Sequence, residues 1–303
     1  MIYTVTLNPS IDYIVKIDSL TMGSVNRMDE DFKYPGGKGI NVSRILKRLD
    51  IPTKATGFIG GFTGQFILDS LAQEGVETEF VTASTDSRIN IKLKLEEETE
   101  INGVGPTISD EQLQALETIL SCTTKDDIVV FAGSAPFNLT NKIYQELIPI
   151  AKQNGASIVC DFEGQTLVDS LVHQPLLVKP NHHELAAIYN VTLNTIDDIV
   201  SYGEKLLVQG AQHAIVSMAG DGALLITKAG NYFAKPIKGN VKNSVGAGDS
   251  MVAGFTGAMS QTGDALEAFK WGVACGSATA FSEDLAETSF IKQLYQQVEV
   301  EKV

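Results

Sequence analysis

Residues 127–162 read "DIVVFAGSAPFNLTNKIYQELIPIAKQNGASIVCDF". Two short β-branched runs, "DIVVFAG" (127–133) and "SIVCDF" (157–162), flank a helical pattern over 139–154. Both runs are apolar almost throughout, as in strands buried on both faces. The same rhythm continues outward. "IYTVTL" (2–7), "KATGFIG" (54–60), "LLVKPN" (176–181) and "HAIVSMA" (213–219) read as further buried strands. Stretches 40–49, 64–74, 109–120, 182–189 and 196–209 read as helices. Strand, helix, strand at this spacing predicts an α/β fold, a doubly wound, mostly parallel sheet with helices on both faces. Residues 1–303 are expected to form one such domain. Gly, Asn, Asp or Ser stand at the strand ends, where open α/β sheets bind ligands.

Two stretches break the rhythm. "YIVKID" (13–18) with "VNRMDEDFKY" (25–34), and "RINIKLKLEE" (88–97) with "TEINGVG" (99–105), alternate with period 2 and have no long helix between them. They predict two hairpins of a small antiparallel sheet, a lid formed by about 13–34 and 88–105. A sheet with one apolar face and no helix to cover it meets a partner subunit, so a homodimer through the lid is expected. Near the end, 246–282 reads as successive helices rich in Ala and Gly, which pack closely or admit a flat ligand.

Of the 303 residues, 44% are hydrophobic and 20% charged, an ordinary globular balance. The net charge of −14 argues against nucleic acid and anionic lipid as partners, though a few cations in a cleft can still hold an anionic substrate. Four Arg occur, at 27, 44, 48 and 88, and each is a candidate phosphate ligand. Cys122, Cys160 and Cys275 form no CxxC pair, which excludes a disulfide framework and a thiolate zinc site. The opening "MIYTVTLNPSID" lacks the basic head and apolar core of a signal peptide, and no window is apolar enough for a membrane helix. A cytoplasmic protein is expected.

Several stretches can carry chemistry. "NSVGAGDSM" (243–251) sets Gly246, Ala247 and Gly248 before a helix, where unpaired N–H groups and the helix dipole attract an anion. Asp249 follows, held ionised by that dipole and able to take a proton from an attacking hydroxyl, or else serving only as a helix cap. "YPGGKGINVSR" (34–44) has Gly36, Gly37 and Gly39 as exposed backbone, with Asn41 suited to sugar hydroxyls and Lys38 to a phosphate. Asp12 ends "NPSID", where a carboxylate can accept from vicinal hydroxyls. In "KPNHHEL" (179–185), Asn181 and Glu184 share a helix face; they either orient magnesium through water or cap the helix. Gly220 and Gly222 in "SMAGDGALL" could flank a nucleotide. No GxxxxGK[ST] is present, "GAGDSM" has Met251 where a dinucleotide fingerprint needs Gly, and "HHE" lacks zinc spacing.

Taken in order, "NPSID … GGKGINVSR … KPNHHE … SMAGDGA … NSVGAGDSMVAGF" resembles the ribokinase/PfkB family of sugar kinases along essentially the whole chain. Within it, "TVTLNPSIDYIV", "PGGKGINVSR" and "SRINIKLKLEEETEINGVGP" are most similar to the bacterial 1-phosphofructokinase branch, with tagatose-6-phosphate kinases second. The resemblance implies Asp249 as catalytic base and Gly246, Ala247 and Gly248 as anion hole. It implies Asp12, Gly37, Lys38 and Asn41 at the sugar, and Arg27, Arg88 and Ser134 at its phosphate. ATP would be held by Lys179, Asn181, Ser217, Gly220, Gly222, Gly248, Gly276 and Ala278, and Mg2+ by Glu184. "GSAPFN" (133–138) departs from the "GSLPPG" of many members. The expected activity is ATP-dependent phosphorylation of a ketohexose monophosphate, first fructose 1-phosphate. The alternatives are another sugar kinase of the family or a catalytically silent sugar-phosphate sensor.

Overall fold

The computed structural model describes residues 1–95 and 99–303. Its strands are β1 (Ile2–Thr6), β2 (Ser10–Lys16), β3 (Glu30–Gly36), β4 (Thr53–Ile59), β5 (Glu77–Thr82), β6 (Arg88–Lys94), β7 (Thr99–Asn102), β8 (Ile128–Ala132), β9 (Ser157–Asp161), β10 (Leu177–Val178), β11 (His213–Ser217), β12 (Ala223–Thr227), β13 (Gly230–Ala234) and β14 (Val300–Lys302). The helices are α1 (Lys38–Arg48), α2 (Gly61–Gln73), α3 (Asp110–Ser121), α4 (Tyr144–Lys152), α5 (Gly164–Ser170), α6 (His182–Tyr189), α7 (Ile196–Val208), α8 (Ala247–Thr262), α9 (Ala265–Ala280) and α10 (Thr288–Tyr295).

The large sheet runs β14-β13-β12-β11-β10-β9-β8-β1-β4-β5. From β11 to β5 every pairing is parallel, and β12, β13 and β14 add an antiparallel edge. Successive residues of one strand feed opposite cores. On β8, Ile128, Val130 and Ala132 pack with the layer of α1, α8, α9 and α10, whereas Val129 and Phe131 join that of α3, α4 and α7. Burial on both sides is why these strands lack polar alternation. The β11–β12 hairpin turns within "SMAGDGALL" (217–225). The edge strand β5 carries Glu77 and Glu79 in a half-exposed setting, so its sequence signal is weak.

The small sheet has the order β3-β2-β6-β7. Its β2–β3 and β6–β7 pairs are the two expected antiparallel hairpins. The central pair, β2 with β6, is parallel instead. The chain reaches β6 only after α1, β4, α2 and β5, and so long a crossover can return a strand in the same direction. Positions 96 and 97 of the expected strand lie outside the described residues. No helix among those residues is long and apolar enough to cross a membrane.

Candidate active site

The small sheet delivers the chain into α1 through Pro35, Gly36 and Gly37. A Cβ on Gly36 would sit 2.4 Å from Asp12 Oδ1, and Gly37 has φ 119°, so this turn needs bare backbone. The first turn of α1 then carries Lys38 and Asn41. Asp12, opposite Tyr34 and Asn90 in register, accepts from Ser10 Oγ at 2.8 Å and from Asn90 Nδ2 at 3.3 Å.

At the head of α8, Gly246 adopts the left-handed conformation, φ 77°. The Ala247 N–H is turned to the Ser244 carbonyl at 3.3 Å, whereas Gly246 and Gly248 line the cleft. Asp249 is 7% exposed and accepts from Asn41 Nδ2 at 2.8 Å, which joins α8 to α1 across 208 residues of sequence. Burial, and then the charge of Asp161, push the Asp249 carboxyl up to about 6, against the pull of Lys38, the Asn41 amide and Lys179. The helix dipole suggests a firmly ionised acid, but desolvation and a second carboxylate act in the opposite sense. A carboxyl near neutrality is well matched to proton abstraction.

Asp161, at the end of β9, is 2% exposed and lies between two ammonium groups, Lys179 Nζ at 3.4 Å and Lys38 Nζ at 3.6 Å. Burial alone would raise its carboxyl, but Lys179 and Lys38 outweigh that and hold it below the ordinary carboxylate range. Lys38 also meets Glu163 at 3.5 Å, and Asp161 above all keeps its ammonium charged. On β6 the side chains facing the cleft are Arg88, Asn90 and Lys92. Arg88 Nε donates to the Asn8 carbonyl at 3.1 Å, while burial draws its guanidinium below the ordinary value against the opposing charge of Asp12.

These elements close on a cleft of about 610 Å³. It gathers Asp12, Gly37, Lys38, Asn41, Arg88, Ser134, Lys179, Gly246, Gly248 and Asp249 from the residues singled out in the sequence. Thr6 Oγ1 and Asn8 Oδ1, from two more lining residues, are buried without a hydrogen-bond partner. Both face bare backbone, Thr6 Oγ1 toward Gly39 and Asn8 Oδ1 toward Gly105.

Other candidates lie elsewhere. Arg27 is exposed on the loop between β2 and β3, outside the cleft. Arg44 and Arg48 hold Glu74 and Asp284 in a partly buried ion-pair network, with Arg44 Nη2 2.5 Å from Asp284 Oδ2, so neither faces a ligand. Asn181 and Glu184 cap α6 reciprocally at 2.8 and 2.9 Å. Glu184 remains half-buried with its carboxyl raised, chiefly by burial, and within electrostatic reach of Lys179, Lys38 and Asp161. Among the described residues no group of three or more His, Cys, Asp or Glu side chains could cage a metal. The single half-buried carboxyl of Glu184 suits an ion of the magnesium kind, which takes one or two carboxylates and otherwise water and phosphate oxygens. Asn181 and Ser217 form a bridge between the ends of β10 and β11, and Gly220 and Gly222 lie in the turn beyond. Gly276 and Ala278 are buried in α9; a Cβ on Gly276 would stand 3.1 Å from the Ala247 carbonyl, so close helix packing accounts for its size.

Asp161, Asn90 and Lys92 were missed in the sequence. Asp161 had a usable signal, an acid ending a buried strand. Asn90 and Lys92 occupy the same alternating face of "RINIKLK" as Arg88.

Residues 5–290 match the model of the pfkB family carbohydrate kinases. The chain belongs to that family. This kinase is 51% identical to the 1-phosphofructokinase of Bacillus subtilis over 303 residues, all of both chains. It is 37% identical to the D-tagatose-1-phosphate kinase of Bacillus licheniformis, over 99% of each. Among solved structures, phosphofructokinase-2 of Escherichia coli in complex with substrates and products superposes with TM-score 0.93 at 29% identity, covering 98% of the kinase and 99% of that chain. The kinase thus shares with that structure the ribokinase-like layering described above.

Proposed function

We propose that this kinase moves the γ-phosphoryl group of ATP to the C6 hydroxyl of a ketohexose 1-phosphate, with fructose 1-phosphate as the preferred acceptor. One observation carries the phosphosugar reading. Of the four cations lining the cleft, Lys38 pairs with Asp161 and Glu163, Lys179 with Asp161, and Lys92 with Asp12 and Glu100. Arg88 alone makes no ion pair among the described residues; its one bond goes to a neutral carbonyl. A part-buried guanidinium without a counter-ion suits a planar, bidentate hold on a phosphate. A neutral sugar would leave that charge uncompensated.

The proposed mechanism follows from the placement of the side chains. Asp12, Asn41 and the Gly37 backbone bind the sugar ring, Arg88 with Ser134 its phosphate. Asp249 accepts the proton of the C6 hydroxyl as that oxygen attacks in line. The Gly246 and Gly248 amides stabilise the phosphoryl oxygens, and Lys38 and Lys179 lie close enough to the base to add positive charge there. Asn181, Ser217, Gly220 and Gly222 border the nucleotide. Mg2+, when bound beside Glu184 through water, would neutralise charge on the nucleotide phosphates. The small sheet closes as a lid and keeps water from the donor.

The test is kcat/KM with fructose 1-phosphate, tagatose 1-phosphate, fructose 6-phosphate and tagatose 6-phosphate side by side. Fructose 1-phosphate is expected to lead. Its C4 epimer, tagatose 1-phosphate, is the competing acceptor, the one for which the Bacillus licheniformis relative is named. A clear preference for a 6-phosphate would overturn the reading.

The partner reading is a homodimer through the lid. Ile89 and Ile101, 39% and 55% exposed, lie on the face of the small sheet opposite the cleft. Sedimentation velocity should return twice 32.6 kDa at micromolar concentration; a monomer would remove this reading.

A further inference from the structure

Lys92 is the least exposed of the four cations that line the cleft, at 6%. It rises from the centre of the small sheet, on the strand that pairs with β2. Its Nζ stands 3.4 Å from Asp12 Oδ2 and 3.6 Å from Glu100 Oε1. The other oxygen of Asp12 is fixed by Ser10 and Asn90, and Asn90 in turn accepts from the Gly103 N–H at 3.2 Å. The Asp12 carboxylate is therefore held from both sides, by two neutral donors on Oδ1 and one cation on Oδ2. Gly36 presses on it from a third direction, with no room for a Cβ.

We infer that Lys92 is a positioning residue for the acceptor: it acts through Asp12, aiming that carboxylate at the sugar hydroxyls, and does not itself hold the substrate's phosphate. Two carboxylates already neutralise its ammonium, whereas Arg88 makes no ion pair among the described residues. Removing one member of a buried ion pair leaves the other charge unsolvated, and here it would leave Asp12 facing Glu100 with no cation between them. Asp12 would then turn from the sugar. Through Glu100, which is on the edge strand β7, the same ammonium ties acceptor recognition to the rim of the lid.

This inference rests on the proposed sugar-binding place of Asp12, and a double-mutant cycle separates the two. The quantity read is kcat/KM for fructose 1-phosphate, measurable below saturation, in the parent, Lys92→Met, Asp12→Asn and the double variant. Lys92→Met is expected to lower it about tenfold, in line with the loss of one charge-assisted contact, with KM for ATP unchanged. In the Asp12→Asn background the same change should cost less than about twofold, because the group it acts on is no longer charged. Lys92→Arg should restore most of the loss. A full penalty for Lys92→Met in the Asp12→Asn background overturns the inference, and so does no penalty in the parent. Should Asp12→Asn itself leave kcat/KM unaltered, the sugar-binding place of Asp12 fails instead. Inhibition by 2,5-anhydromannitol, a neutral acceptor analogue, gives a second reading on the folded single variant. Lys92→Met should weaken it by the same factor as the phosphosugar, and an unchanged inhibition constant would make Lys92 a phosphate ligand and sink the inference.

Discussion

Replacing Asp249 with Asn lowers kcat by about 10²–10⁴-fold, the usual contribution of a positioned general base, while KM for the phosphosugar stays within a few-fold. Asn keeps the shape of the side chain and an acceptor for Asn41 Nδ2, so the ring should bind as before. What is lost is a place for the hydroxyl proton. The parent's pH profile completes the prediction. Its base titrates at about 6, so kcat/KM should fall about tenfold per pH unit below that value and level off above it. The variant should show no such limb. Folding provides the control. Burying Asp249 as a carboxylate is unfavourable in the parent above pH 6, so the variant should melt at the same temperature or higher at pH 8. Turnover close to the parent's would take Asp249 out of the role of base.

Changing Arg88 to Ala raises KM for fructose 1-phosphate by about ten- to a hundredfold, the equivalent of one charge-assisted hydrogen bond of about 1.5–3 kcal/mol. KM for ATP should move less than about twofold, because the guanidinium is bonded to the Asn8 carbonyl beside the acceptor end of the cleft. Arg88→Lys should recover only part of the loss, since an ammonium cannot reproduce the paired N–H geometry. Unphosphorylated fructose, poor as it is, should lose nothing. Equal losses for phosphosugar and nucleotide would mean that Arg88 supports the lid and does not touch the phosphate.

The small sheet shows how far the sequence could be read. Its alternation over 13–18, 25–34, 88–97 and 99–105 located both hairpins, because a strand with one buried face must repeat every second residue. The direction in which the hairpins meet left no trace in either stretch, and β2 and β6 proved parallel. The arginines make a similar point. By residue type all four were candidates and the resemblance favoured Arg27 and Arg88; Arg44 and Arg48 are consumed by Glu74 and Asp284, the latter some 240 positions along the chain. Asn181 and Glu184 could cap a helix or serve a metal, and in the structure they make the reciprocal capping bonds of α6.

The glycine turns at 36–39 and 246–248, the buried strands and the acid at 249 were determined by the sequence alone, since local backbone demands and apolar periodicity act between near neighbours. Only the tertiary structure brought Asp161 between Lys38 and Lys179, raised Asp249 toward neutrality and left Arg88 without an ion pair among the described residues. Charges act through space and through the water excluded around them, and neither distance nor solvent is written in the order of residues.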